Sequence, residues 1–241
     1  MPQKDEVTDK KEQVRTMFDD IAARYDFLNN LLSLGIYKYW RSRLLKAAQP
    51  LPPNARILDV ATGTGDIALV LAKLKPLTIV GIDISEKMVA LGKKKVKEAG
   101  LSELVFLQTG DAEDIHFPEE RFNLVTVAYG VRNFANLERG LKEIFRVLVP
   151  GGKLLILEFT VPTNTLFSKL YRLYFTKVLP TVGGFVSANK DAYSYLPASV
   201  QAFPQGNAFL TILQQQGFAQ AKCKLLTNGV VGLYSATKPL S

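Results

Sequence analysis

The residues best suited to chemistry lie in one short run, Leu58-Asp59-Val60-Ala61-Thr62-Gly63-Thr64-Gly65-Asp66. An apolar stretch passes into a glycine turn and then into helix-compatible sequence, the arrangement by which a doubly wound fold presents bare backbone to a ligand. Gly63 and Gly65 permit close approach, although any tight strand-to-helix turn uses such a pair. Asp83 ends the next apolar run twenty residues after Gly63. Its carboxylate either accepts hydrogen bonds from both ribose hydroxyls of an adenosine or caps the helix that follows. Asp111 and Ala112 close a third run, placed for the exocyclic amine of adenine or for an ordinary polar loop. Ala68 stands where a dinucleotide fingerprint has its third glycine, and Asp66 occupies the turn. A carboxylate there suits a cationic sulfonium better than a pyrophosphate, which it would repel.

The elements that must position these residues are legible as alternation. Five short apolar runs, at residues 56–60, 78–82, 104–108, 124–128 and 154–159, are separated by helical-length stretches at 66–74, 85–98 and 137–147. That spacing predicts βαβ units and a buried parallel sheet with helices on both faces. Ser85 is placed to cap the second of these helices, and a Pro150-Gly151-Gly152 turn precedes the fifth strand. Upstream, Val14, Met17, Phe18, Ile21 and Tyr25 recur at three and four, one stripe of a helix, and Pro50, Pro52 and Pro53 end that segment. Residues 1–13 read as a frayed polar tail. After Pro162, residues 166–179 form an amphipathic pattern with Lys169, Arg172 and Thr176 on one face, too short and charged to span a bilayer. Residues 221–226 and 230–236, around Asn228-Gly229, predict a β-hairpin added to the sheet.

Composition narrows the partners. The chain has 241 residues, 47% hydrophobic and 22% charged, which suits one α/β domain with an extension. One cysteine, Cys223, excludes an internal disulfide, and one histidine, His116, leaves too few soft ligands for a zinc or iron centre, so no metal is expected. The balance of 30 Lys+Arg against 22 Asp+Glu gives a net charge of +8 and favours an anionic surface. The densest basic run, Lys93, Lys94, Lys95 and Lys97, reads as a solvated helix face rather than a nucleic-acid patch.

Several blocks resemble the ubiquinone/menaquinone biosynthesis methyltransferases, the UbiE/MenG family. They are residues 17–26, 58–66 and 110–118; Val127-Ala128-Tyr129-Gly130-Val131-Arg132-Asn133-Phe134; and residues 146–158, 193–200 and 203–204. The Gly-Val-Arg-Asn-Phe and Tyr-x-Tyr-Leu blocks are more specific than a generic glycine loop. The resemblance implies a class I S-adenosylmethionine methyltransferase: a Rossmann-like, doubly wound, mostly parallel seven-stranded sheet with a C-terminal antiparallel hairpin. It divides the chain into an N-terminal tail and helical cap (1–53), a cofactor-binding core (54–160), a helical substrate lid (161–205) and a C-terminal helix with hairpin (206–241). It implies cofactor contacts at Thr64, Asp83, Asp111, Ala112 and Ala128, beside the turn glycines Gly63 and Gly65. Departures at Leu28, Tyr37, Val149, Thr160 and His116 look more like the branch that methylates 2-phytyl-1,4-naphthoquinol than the respiratory one.

The implied substrate is a prenylated quinol, because only the reduced ring is electron-rich enough to attack a sulfonium methyl. A free phenol has a pKa near 10, so the site must stabilise an oxyanion or supply a base. Arg132, just past the fourth strand, is placed to hold the quinol oxygen, or else to form an ion pair with a helix carboxylate. Asn133 either orients the same group or serves the turn. Tyr25 either closes over the ring or fills the core. His116 is a base only if it is not solvent-exposed. The 163–200 segment either shelters the prenyl tail and touches an anionic membrane surface or simply covers the core, with the enzyme otherwise cytoplasmic and no nucleic acid bound. The competing readings are benzoquinol methylation, a class I enzyme for RNA or a small metabolite, and a binding-only regulator.

Overall fold

The computed structural model describes residues 3–26, 35–162 and 191–240. The elements in order are α1 (Gln3–Ile21), α2 (Tyr37–Ala47), β1 (Arg56–Val60), α3 (Asp66–Leu71), β2 (Thr78–Asp83), α4 (Glu86–Glu98), β3 (Val105–Thr109) and β4 (Phe122–Ala128). They continue as α5 (Leu137–Val147), β5 (Leu148–Phe159), α6 (Asp191–Ala202), α7 (Asn207–Gln215), β6 (Ala219–Leu226) and β7 (Val231–Thr237). The strands form one sheet in the order β3-β2-β1-β4-β5-β7-β6. Pairing is parallel from β3 to β5, and β7 joins antiparallel to both β5 and β6. The chain reverses direction across the sheet between β1 and β4, which opens a crevice at their carboxyl ends.

Alternation along the strands builds two cores. Leu58 and Val60 pack on one face with Phe122, Ile144, Phe209 and Tyr234. Ile57 faces the opposite way, into Trp40, Leu44, Leu71, Val89 and Leu157. Successive strand side chains point to opposite faces, so both faces need helices, and α2, α3 and α4 cover one while α5 and α7 cover the other. Tyr234, fully buried, accepts a hydrogen bond from the Gly206 N–H at 3.0 Å and so ties the hairpin to the turn before α7.

The observed elements follow the expected ones with three differences. The α1 helix begins at Gln3, so the polar stretch expected to fray is helical, because its lysines find partners on the core. The Pro-Gly-Gly segment lies inside β5 as a register shift between the Phe122 and Leu124 pairings, not before the strand, and Gly151 takes φ +75° to make it. Of the basic run on α4, Lys95 is only partly exposed: its ammonium bonds Asp26 at 2.8 Å and the Thr64 hydroxyl at 3.0 Å, and also pairs with Asp66. Ser85 does cap α4, accepting the Met88 N–H at 3.1 Å. The amphipathic stretch at 166–179 lies outside the described residues. Among the described residues no helix is long and apolar enough to cross a membrane.

Candidate active site

A cleft partly open to solvent runs over the carboxyl ends of β1 to β4. Its floor is built by the turn after β1. Gly63 takes φ +55° and Gly65 φ +78°, conformations that cost a side chain-bearing residue strain. A Cβ on Gly65 would lie 2.9 Å from Leu107, whereas one on Gly63 would meet only Tyr25 at 3.8 Å. Gly65 is thus favoured by its left-handed φ and its closeness to Leu107, and Gly63 leaves bare backbone toward the cleft. The flanking ends are strained as well: Ala61 after β1 and Tyr129 after β4 both sit in the left-handed region, at φ +53° and +59°. Each such residue costs on the order of 1–3 kcal/mol, and such residues cluster at functional sites.

Two carboxylates are arranged along this floor. Asp83, nearly buried, accepts the Gly63 N–H at 2.7 Å and the Ser85 N–H at 2.9 Å, one on each oxygen. Burial raises its pKa, and the backbone bonds oppose that rise. Each carboxylate oxygen has two acceptor directions, so Asp83 retains room for a pair of ribose hydroxyls. Asp111 accepts the Glu113 N–H at 2.8 Å on one oxygen and the Lys11 ammonium at 2.6 Å on the other.

The α1 helix covers the cleft. Lys11 also reaches the buried carboxylate of Glu113 at 2.9 Å, and Lys10 donates to the Phe134 carbonyl at 2.7 Å. Burial pulls the Lys11 pKa down, but the bonds and charges of Asp111 and Glu113 outweigh it and the net shift is upward. Glu113 uses its other oxygen to accept the Ala135 and Asn136 N–H groups at 2.7 and 2.9 Å, so one carboxylate joins α1 to the segment entering α5. At the far end of α1, Asp19 accepts the Ser85 hydroxyl at 2.5 Å. Sequence patterning missed Lys11 because it is polar, yet it falls on the Val14–Phe18 stripe at the same spacing of three and four, and all three side chains line the cleft.

Of the residues expected to meet the cofactor, Gly63, Asp83, Asp111, Ala112 and Ala128 line this one cleft. Thr64 and Gly65 do not: Thr64 is buried and donates its hydroxyl to Asp26 at 2.7 Å, and Gly65 shapes the turn. Asp66 does not face the cleft with a free charge either. It is held by Arg41 at 2.6 Å and by Lys95, so it is already neutralised, and the acidic side chains lining the cleft are Asp83, Asp111 and Glu113.

On the acceptor side, Tyr25 and Asn133 line the same cleft. Tyr25 packs edge-on to Phe18, and Asn133 accepts the Tyr195 hydroxyl at 3.1 Å. Arg132 forms an ion pair, as the second of its two expectations had it, but with a strand carboxylate and not with one on a helix. Its guanidinium pairs at 2.6 Å with Glu158 of β5, with the side chains 6% and 0% exposed, and donates to the Tyr129 carbonyl at 2.5 Å and the Ser199 hydroxyl at 3.3 Å. A buried carboxylate on the neighbouring strand requires a cation, and Arg132 supplies it. His116 is 84% exposed beside Asp114 and sits apart from the cleft.

Sequence reasoning also passed over an aromatic group beside the cleft. Tyr129 stacks on Phe159 with centroids 4.8 Å apart, and Trp40 closes against both rings at 6.3 and 6.0 Å. A further acid, Asp59, is 1% exposed under the floor, where the Thr62 and Thr126 hydroxyls each donate to it at 2.6 Å.

An adenosine carrying a sulfonium side chain fits these features. It needs a carboxylate at the second strand end for the ribose, an apolar slot for the base, which Ile84, Met88 and Ala112 offer, and a turn without side chains for close approach. The chain matches the ubiE/COQ5 methyltransferase family over residues 5–238. It is 44% identical over 230 residues to a demethylmenaquinone methyltransferase of Bacteroides fragilis, covering 95% of this chain and 94% of that one. A demethylmenaquinone methyltransferase of Thermus thermophilus is 45% identical over 224 residues, covering 92% of this chain and all of its own. Among solved structures, a putative methyltransferase of Bacillus halodurans superposes with a TM-score of 0.61 at 22% identity, covering 83% of this chain and 98% of that one, which supports the fold alone.

Proposed function

This chain belongs to the ubiE/COQ5 methyltransferase family, and from that premise we propose that it C-methylates a prenylated demethyl-naphthoquinol, with S-adenosylmethionine as methyl donor. The observation that carries the reading is the single cleft in which Asp83, the Gly63 turn and Asp111 meet a second set of groups, Tyr25 and Asn133. The names of the relatives support a naphthoquinol ring, and the reading extends to 2-phytyl-1,4-naphthoquinol or demethylmenaquinol as the acceptor. A benzoquinol is the second reading, because relatives carrying the joint ubiquinone/menaquinone name match equally well, one from Geotalea daltonii at 45% identity.

Bound S-adenosylmethionine supplies a methyl group on a cationic sulfur. Asp83 holds the ribose and Asp111 faces the adenine amine, while the bare Gly63 turn lets the nucleoside settle against the sheet. Val14 and Phe18 of α1, with Tyr25 in the turn after it, close the cleft and exclude water, which leaves alignment of ring carbon and methyl to provide much of the rate. Asn133, oriented by Tyr195, presents a polar group to a quinol oxygen. Arg132 acts as a positioning residue: through Glu158 and the Tyr129 carbonyl it locks the ends of β4 and β5 where the ring must lie. The protein works in the cytoplasm and meets its lipid substrate at an anionic membrane surface, for which its charge of +8 is suited.

The test is a panel of short-chain prenylated 1,4-naphthoquinols and 1,4-benzoquinols kept reduced, with labelled methyl donor. The reading expects the naphthoquinols to be methylated with the higher kcat/KM. A preference for benzoquinols assigns the second reading, and transfer to neither ring removes both.

A further inference from the structure

Tyr129 lines the cleft, and nothing described so far accounts for its phenol. Its oxygen is buried, and among the described residues it has no hydrogen-bond partner. A buried hydroxyl left without a partner costs on the order of 1–3 kcal/mol. The residue that carries it is held at φ +59°, in the left-handed region, with its N–H bonded to the Leu157 carbonyl at 2.7 Å and its own carbonyl gripped by Arg132 at 2.5 Å. Two unfavourable features thus coincide on one side chain at the carboxyl end of β4, next to the strand reversal, and the surrounding bonds hold it there.

The charged groups around this hydroxyl do not explain it. Arg41 pairs with Asp66 through a terminal nitrogen and lies over the face of Tyr37 without bonding the Tyr129 phenol, its Nε having no hydrogen-bond partner among the described residues, and Arg132 is committed to Glu158. The ring is fixed between Phe159 and Trp40, and Trp40 is itself anchored by its indole N–H to the Thr227 hydroxyl at 2.7 Å. A phenol in a rigid aromatic frame, with its hydrogen-bonding capacity unspent and one flank on the cleft, is prepared for a polar atom that arrives with a flat, apolar ligand.

Resting on the function proposed above, we propose that the Tyr129 hydroxyl donates a hydrogen bond to a ring oxygen of the acceptor quinol and stabilises that oxygen as the anion. Burial, opposed by Arg41 and reinforced by Glu158, holds the phenol well above its ordinary pKa of 10, so it stays protonated and serves as a donor, not as the base. The bond strengthens as negative charge gathers on the oxygen, so it favours the electron-rich ring that attacks the methyl group.

Tyr129→Phe tests this, because it removes one oxygen and keeps the ring stack. Three readouts are compared between native protein and variant: affinity for S-adenosylhomocysteine, kcat/KM for 2-geranyl-1,4-naphthoquinol, and the ionisation midpoint of bound 4-nitro-1-naphthol followed by its absorbance. The expected result is a melting temperature at or above the native value, since an unpaired buried hydroxyl is removed, and unchanged S-adenosylhomocysteine affinity. Turnover should fall about a hundredfold, the usual loss for one donor to a developing oxyanion. The naphthol midpoint should lie about one pH unit higher on the variant, a tenfold weaker hold on the anion. Equal midpoints and equal turnover overturn the role of Tyr129 while leaving the methyltransferase reading intact. An unfolded variant overturns it as well, since the hydroxyl would then have a structural partner. If native protein methylates no quinol, the failure lies with the function on which the proposal rests.

Discussion

Asp59 accepts two threonine hydroxyls, yet burial dominates and lifts its pKa from 3.8 to about 6, with the nearby charge of Asp83 adding to the rise. For an acid whose folded pKa lies above its unfolded value, folding favours the protonated form. Its contribution is therefore fully present below about pH 4 and is lost as pH rises through 6. A shift of about two units corresponds to roughly 3 kcal/mol. Urea unfolding of native protein and Asp59→Asn at pH 7, 6, 5 and 4 should show native stability gaining on the variant by up to that amount as pH falls. A constant difference across the series would mean that Asp59 titrates normally. For Arg132, truncation to alanine leaves Glu158 buried and unpaired, and should cost about 3–5 kcal/mol of stability. Adding Glu158→Gln should recover a large part of it, measured by the same unfolding experiment; no recovery would remove the pair from the account. Asp83 and Asp111 could be read from the sequence because strand ends in a doubly wound sheet converge. The partner of Arg132 could not, because Glu158 lies 26 positions away on a strand whose register no local pattern reveals.

Among the elements, α1 shows where periodicity misleads. The apolar stripe from Val14 onward announces a helix, but the preceding turns are polar and look frayed. They are helical because Lys10 and Lys11 find a carbonyl and two carboxylates on the core. Replacing Lys11 with methionine keeps the helix-forming chain but leaves Glu113 without its cation. Amide exchange in residues 8–21 should quicken by tenfold or more, about 1.4 kcal/mol of lost local stability, while exchange in β1 and β4 changes little. Unchanged protection in α1 would show that its apolar stripe alone holds it. The strands and the helices between them were legible to within a few residues, since a buried parallel sheet enforces apolar runs of similar length. The passage of β5 through Pro150-Gly151-Gly152 was not, because a bulge and a turn use the same residues.

For the molecule as a whole, the fold was readable from alternation and the family from its motif blocks, whereas the division of labour in the cleft needed coordinates. Thr64, Gly65 and Asp66 shape and brace the turn while Gly63 lines the cleft with Asp83 and Asp111, a distinction invisible in the nine-residue motif itself. The excess of eight positive charges is a property of the entire surface. It predicts cosedimentation with vesicles containing phosphatidylglycerol, weakened at high salt, and little with neutral vesicles. Equal binding to both would assign the interaction to apolar contacts alone. In the proposed reaction an electron-rich ring, not a quinone, takes the methyl group. Transfer of labelled methyl from S-adenosylmethionine to a prenylated demethyl-naphthoquinone should therefore be followed with and without dithionite. The account predicts label on the ring carbon under reducing conditions and loss of nearly all transfer when the quinone stays oxidised; equal transfer in both would contradict it.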